Sequence, residues 1–440
     1  MDIRSLIDEL DASGELLRIR KEVDPEYELA AVIKTVQHSS NKSVLFENVR
    51  GATMPVVTNI YNSRQRLCQM IGAEPDGFCP RWNDLHEHTK GRVGKESTLI
   101  DRPEDLIDRR LSDMPQITYH EKDAGPYFTS AIFLAKHPDT GVENLSFHRS
   151  MFVSDTELRV RLGSSHDLCT FQAAAEEKGN YLDAVMLIGV EPSLFLAGGA
   201  RLPAEWSEIA FASAINDAPI NRYKARRSDL LIPAATEIVI EGRFIPDERR
   251  PEGPFGEFMG HYVEIGNNHV FEVLHAYTRS SPIFHGLLCG SNEDISLLEA
   301  RTAAKTYRHL SQVVSGVIDV ACAPSVMNTT IKIKKQYEHH AKDVLMAAFD
   351  ADEDYNKICA VVDEDVNIYD FNEVLWAFAT RGRADTRTVV IPDRPGFYRD
   401  EHRDHWGRLG LDATCPLDRK DEFVRNSVPE ETAINLADYL

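Results

Sequence analysis

Pro251-Glu252-Gly253-Pro254-Phe255-Gly256-Glu257 is the stretch on which the reading of this chain turns. Two carboxylates bracket Gly-Pro-Phe-Gly. Proline fixes φ and lacks an N–H, so the spacing predicts a loop with a fixed path rather than a helix or regular strand. Its glycines let the backbone approach another group closely. Paired acids on such a loop suit proton transfer, because each tunes the pKa of the other. By spacing alone, a solvated turn after a strand is the plainer reading.

Upstream, Asn144-Leu145-Ser146-Phe147-His148-Arg149 opens a strand, Leu145–Val153, that turns at Ser154-Asp155-Thr156 into Glu157–Leu162. Residues 144, 146 and 148 share one face and Arg149 points to the other. Asn144 and Arg149 can serve one site only across a bulge or strong twist. In Ser164-Ser165-His166-Asp167 a strand passes into a helix from about 167 to 177. His166 there can ligate a metal or simply cap the helix. Glu208 falls in the first turn of a helix following Pro203, where the helix dipole favours an acid. Together Asn144, His166 and Glu208 offer O, N and O donors. That set suits Mn2+ or Mg2+ carrying a phosphate oxygen and is too rich in oxygen for structural zinc. There is no P-loop, no strand-coupled GxGxxG and no GxSxG elbow.

The 440 residues suffice for two or three domains with their own cores. A net charge of -21 repels nucleic acid and anionic membranes, so neither is an expected partner. It also repels an acidic substrate, so a carboxylate ligand would need an arginine in the site. Seven widely spaced cysteines without a CxxC fit free thiols in the cytoplasm. No apolar run approaches the ~18 residues of a membrane span, and Met1–Leu10 is too charged for a secretory signal.

Periodicity divides the chain into an N-terminal α/β part (1–115), a strand-rich part (116–295), a linker helix (296–313) and a C-terminal α/β part (314–440). The boundary near 115 follows the charged, proline-bearing stretch Asp101–Pro115. Leu196-Ala197-Gly198-Gly199-Ala200 reads as a loop. The last 45 residues, with Arg399, His402, Arg403, His405 and Arg408, read as a polar tail lying on a surface or on a neighbouring subunit.

Asn144-x-x-x-x-Arg149, His166, Glu208 and Glu252-Gly-Pro-Phe-Gly-Glu257, in that order, resemble the hallmark pattern of UbiD-type decarboxylases. Val361-Val362-Asp363-Glu364-Asp365-Val366, Trp376-Ala377, Thr380-Arg381 and Gly410–Thr414 extend the likeness over nearly the whole chain. The resemblance implies a mixed α/β fold. It has a central FMN-binding split β-barrel, an N-terminal α/β part and a C-terminal dimerisation domain. It implies prenylated FMN held by a divalent metal, Mn2+ or Mg2+, on Asn144, His166 and Glu208, with K+ nearby. Leu145, Ser146, Phe147, Arg149, Ser165, Ala197, Gly198 and Ala200 would touch the cofactor. Arg149, Glu252 and Glu257 would be the catalytic network. The expected reaction is reversible, non-oxidative decarboxylation of an aromatic, heteroaromatic or α,β-unsaturated acid. Expected partners are that small carboxylic acid, a second copy of the chain or a larger homo-oligomer, and a flavin prenyltransferase supplying the cofactor. Ser165 and Phe258 depart from better-known members, which leaves the substrate open. The rival readings are a metal-dependent hydrolase on the same three ligands and a non-catalytic flavin-binding protein.

Overall fold

The computed structural model describes residues 1–440 except Ser165 and residues 398–406, 430–433, 436–438 and 440. The chain forms two compact units, 1–304 and 305–440.

The first unit opens with helix Ile3–Ala12, whose cap Asp2 accepts the Ser5 N–H at 2.8 Å. The helix buries Ile3, Leu6, Ile7 and Leu10 along one stripe. Strands Leu16–Ile19, Ser43–Phe46 and Val56–Thr58 form a small sheet, and Phe284–His285 completes it from far along the chain. Stretch 101–115 contains a strand, Leu106–Asp108, paired with Tyr277, Thr278 and Arg279.

The main sheet has nine strands. Its path runs Tyr127–Phe128, Ser150–Ser154, Glu157–Val160, Gly266–Arg279, Ile238–Glu252, Leu182–Ile188, Ile132–Lys136, Glu143–Phe147, with Leu106–Asp108 added at Gly266–Arg279. The two end strands do not pair among the described residues, so the barrel is not closed. Yet Phe147 and Ser150 belong to strands near opposite ends of the path and are three residues apart. At about 3.6 Å per residue they lie within roughly 11 Å of each other. The sheet therefore curls back on itself and leaves a split, and His148-Arg149 crosses it. Phe133, Phe244 and Phe271 meet inside the curl, with ring centroids 5.0 to 5.6 Å apart. Gly242 sits at a bulge where a Cβ would fall 2.2 Å from the Glu272 carbonyl oxygen, so only glycine lets the two long strands approach.

Four sequence expectations change in this unit. The single strand Leu145–Val153 is two strands, Glu143–Phe147 and Ser150–Ser154, broken where the chain changes pairing partners. The 251–257 segment is only partly a loop. Pro251 and Glu252 end strand Ile238–Glu252, and Phe255–Gly256 pairs with Tyr262–Val263. Proline is tolerated because this end of the strand is paired on one side only, to Gly266–His269, with no neighbour opposite. Leu196, Ala197 and Gly198 end a short buried helix, Pro192–Gly198, rather than a loop. Helix Glu208–Asn216 begins later than Pro203 suggests.

The second unit has a five-stranded sheet in the order Val317–Cys322, Asn328–Ile333, Ile358–Asp363, Gly407–Ala413, Thr388–Pro392, with helices His340–Ala351 and Phe371–Arg381. Arg408 is buried in this sheet and donates to the Glu353 carbonyl at 2.6 Å, so it is not part of a polar tail. Arg399, His402, Arg403 and His405 lie outside the described residues. The 361–366 and 380–381 motifs meet: buried Arg381 contacts Asp363 at 3.1 Å and Asp365 at 2.6 Å.

Candidate active site

The break in the strand brings Arg149 to the split of the sheet. Its Nε donates to Glu252 Oε1 at 3.0 Å and its Nη2 to Glu252 Oε2 at 2.9 Å, a forked pair. Its Nη1 donates to Glu257 Oε1. The guanidinium lies 4.6 Å from the centre of the Phe255 ring, which covers one face. Burial opposes the arginine's charge, and the two carboxylates outweigh it, so its pKa is raised. The turn between Glu252 and Glu257 thus places both acids on one guanidinium, with Phe255 as the floor.

Glu252 is saturated. Besides Arg149 it accepts from the Tyr127 hydroxyl at 2.8 Å and from Asn268 Nδ2 at 2.7 Å. Burial, and then the Glu252 charge, push the Tyr127 phenol far up, so it stays a donor. The loop is tied down by Asp123, which accepts the Gly256 N–H at 2.8 Å, and by the Glu257 N–H donating to the His261 carbonyl at 2.9 Å. Tyr127, Asn268 and Asp123 are missing from the sequence reading. None stands in a recognisable pattern, and each reaches the site through pairing of distant segments.

On the first side of the broken strand, Asn144, Ser146 and His148 line one face as their alternation predicts. Ser146 Oγ donates to Asn144 Oδ1 at 2.7 Å and lies 2.8 Å from His148 Nε2. The His148 and His166 rings are 5.1 Å apart. His166 caps helix Asp167–Glu176. Glu208 begins its own helix and accepts the Leu145 N–H at 2.9 Å. Glu208 therefore meets the strand beside Asn144, and His166 stands beside His148 at the other end of the same polar face. Among the described residues, no three His, Cys, Asp or Glu side chains form a metal cluster.

The donors fit a cation carrying an anion. Burial pushes Glu208 up to about 8, and the charges of Asp167 and Glu143 add to it. A dry carboxylate without a cationic partner is what a divalent ion relieves. Next to it the buried Ser207 hydroxyl has no partner among the described residues. Phe147 packs on Phe195 at 5.0 Å, and a Cβ on Gly198 would touch Phe147 at 3.4 Å. Leu145, Ala197 and Ala200 are buried alongside, and Ser165 lies outside the described residues.

Three family models match in series. They are the N-terminal, Rift-related and C-terminal domains of 3-octaprenyl-4-hydroxybenzoate carboxy-lyase, over residues 7–85, 95–292 and 296–413. The chain belongs to the UbiD family. As a UbiD carboxy-lyase it is a decarboxylase. It is 30% identical to anhydromevalonate phosphate decarboxylase of Methanosarcina mazei, covering 98% of this chain and 100% of that one. The UbiD-class enzyme HmfF from Pelotomaculum thermopropionicum, solved in complex with FMN, superposes at TM-score 0.92 with 33% identity and full coverage of both chains. Its evolved dimeric form in complex with prFMN superposes at 0.89 with 32% identity, again with full coverage of both. The UbiD fold accounts for the open, curled sheet described above.

Proposed function

We propose that this chain removes CO2, reversibly, from an aromatic, heteroaromatic or α,β-unsaturated carboxylic acid with prenylated FMN as its cofactor. The observation that carries the reading is Arg149 clamped between Glu252 and Glu257 at the split of the sheet. The FMN and prFMN complexes of the similar HmfF support the choice of cofactor.

Asn144, His166 and Glu208 would hold Mn2+ or Mg2+ at the cofactor phosphate. Leu145, Ser146, Phe147 and Ser165 would contact the cofactor from one side. Ala197, Gly198 and Ala200 would contact it, together with K+, from the other. When bound, the prenylated flavin supplies the electron sink that loss of CO2 from an sp2 carbon requires. Arg149 orients the substrate carboxylate through Nη1, the corner it shares with Glu257. Glu252 holds the other corner and keeps the guanidinium in plane. Glu257 delivers a proton to the carbon that CO2 vacates and recovers it in the reverse direction. Residues 1–115, 116–295, 296–313 and 314–440 would serve as N-terminal part, cofactor domain, linker helix and oligomerisation domain of a cytoplasmic homodimer or larger homo-oligomer. A flavin prenyltransferase would supply the cofactor.

The test is reconstitution. Protein loaded with prenylated FMN and Mn2+ should release CO2 from members of a panel of benzoic, furoic and cinnamic acids. Flavin-free protein should not. Activity at full rate in flavin-free protein would overturn the reading in favour of a metal hydrolase.

A further inference from the structure

Decarboxylation consumes one proton per turnover. R–COO⁻ loses CO2, the bonding pair stays on carbon, and that carbon takes a proton. If Glu257 gives it, Glu257 ends each cycle as a carboxylate and must be reloaded. The Glu252 side offers no route. Its side chain is sealed from solvent and fully bonded, and an arginine does not release a proton.

The opposite side is built differently. The Gly290 backbone packs on the Glu257 loop: a Cβ there would lie 3.4 Å from the Phe258 carbonyl and 3.8 Å from that of Glu257. Gly290 donates its N–H to Asp294 Oδ2 at 2.8 Å. The thiol of Cys289 also bonds Asp294. Cys289 packs against the cluster of Tyr127, Phe255 and Val263, whose Phe255 ring lies against the guanidinium. Cys289 and Gly290 also line an open cleft of about 330 Å³, together with Lys34, Tyr119, His120 and Tyr262. Asp294 and Cys289 are half-buried, and Gly290 is exposed. One short segment thus borders Glu257 on one side and a solvent-reached cleft on the other.

From this arrangement we infer that Asp294 is the relay that reloads Glu257 with a proton drawn from the cleft, with Cys289 holding it in place. The inference rests on Glu257 being the proton donor. Asp294 passes its proton to the Glu257 carboxylate and takes another from solvent, so no charge accumulates. In the carboxylation direction the proton leaves by the same path. Burial raises Asp294 to about 6, helped by the charges of Glu257 and Glu293 and opposed by the Gly290 N–H and the Cys289 thiol. That places its titration where a relay can both hold and release a proton. Burial, then the acids beside it, keep Cys289 a neutral thiol. The Arg149 charge also reaches Cys289 and favours its thiolate, but less than burial opposes it.

Asp294→Asn keeps the acceptor for Gly290 but cannot carry the proton. In holoenzyme it should lower kcat about 10- to 100-fold at pH 7. KM and the CO2 released in the first turnover should stay unchanged, measured with whichever benzoic, furoic or cinnamic acid the wild type converts fastest. Asp294→Glu should restore at least half the rate. Infrared pH titration of substrate-free holoenzyme should show a protonated carboxyl band with its midpoint near 6. That band should vanish in Asp294→Asn and shift to lower pH in Glu257→Gln. Wild-type kcat in Asp294→Asn across pH 5–8, with Glu257→Gln inactive, would overturn the relay alone. Full turnover in Glu257→Gln would overturn the donor reading and the relay with it.

Discussion

Arg149 gives two of its nitrogens to the two oxygens of Glu252, at 3.0 and 2.9 Å, and turns its third to Glu257. The pairing is unequal. Glu252 is a fixed anchor with four donors, two of them from the guanidinium fork, whereas Glu257 takes one guanidinium nitrogen. In the proposed reaction Glu252 is the positioning acid and Glu257 the proton-transferring one.

Arg149→Lys keeps the charge and loses the fork. It should lower kcat/KM by about 100-fold or more, which steady-state CO2 release reads. Arg149→Ala leaves Glu252 buried without its cation. Breaking a buried pair this way costs roughly 3–5 kcal/mol, visible in denaturant unfolding.

Glu257→Gln preserves size and hydrogen bonding but carries no transferable proton. The expected loss in kcat is about 10²- to 10⁴-fold, with flavin and metal still bound. In D2O the wild type should place deuterium at the former carboxyl carbon. Retained activity at every pH, at full cofactor occupancy, would assign the role to another group.

Glu208→Ala and His166→Ala should lose divalent metal and flavin together, because in the proposed reading these residues would hold the cofactor through the ion. Metal analysis and flavin absorbance on the same samples check this. Flavin binding at wild-type affinity in metal-depleted Glu208→Ala would show that these residues do not hold the cofactor through a metal.

His269 supplies a pH-dependent stability effect away from the chemistry. Burial first, and then the Arg249 charge, lower it from 6.5 to about 4. Between those values the unfolded chain binds a proton that the folded chain refuses, so stability is present above pH 6.5 and falls as pH drops toward 4. A shift of that size is worth on the order of 3 kcal/mol. Its Nδ1 finds no partner among the described residues and its ring lies 6.3 Å from Phe244, so His269→Phe should fit. Urea unfolding between pH 4 and 7 should show a flatter slope in the variant. An unchanged slope would show that His269 titrates normally in the fold.

What the sequence determined by itself was local and chemical. Alternation along 143–147 put Asn144, Ser146 and His148 on one face. The acid pair around Gly-Pro-Phe-Gly marked the loop that meets Arg149, and the ordered motifs pointed to the family. Tertiary structure decided how those residues meet. Alternation places Arg149 opposite Asn144 on a flat strand, and only the change of pairing partners at the split turns Arg149 toward Glu252 and Glu257. Tyr127, Asn268 and Asp294 reach the site from 22 residues before Arg149 to 145 after it. Nothing in their immediate neighbours announces them, because what places a side chain against a partner that far along the chain is strand register and packing, not local propensity.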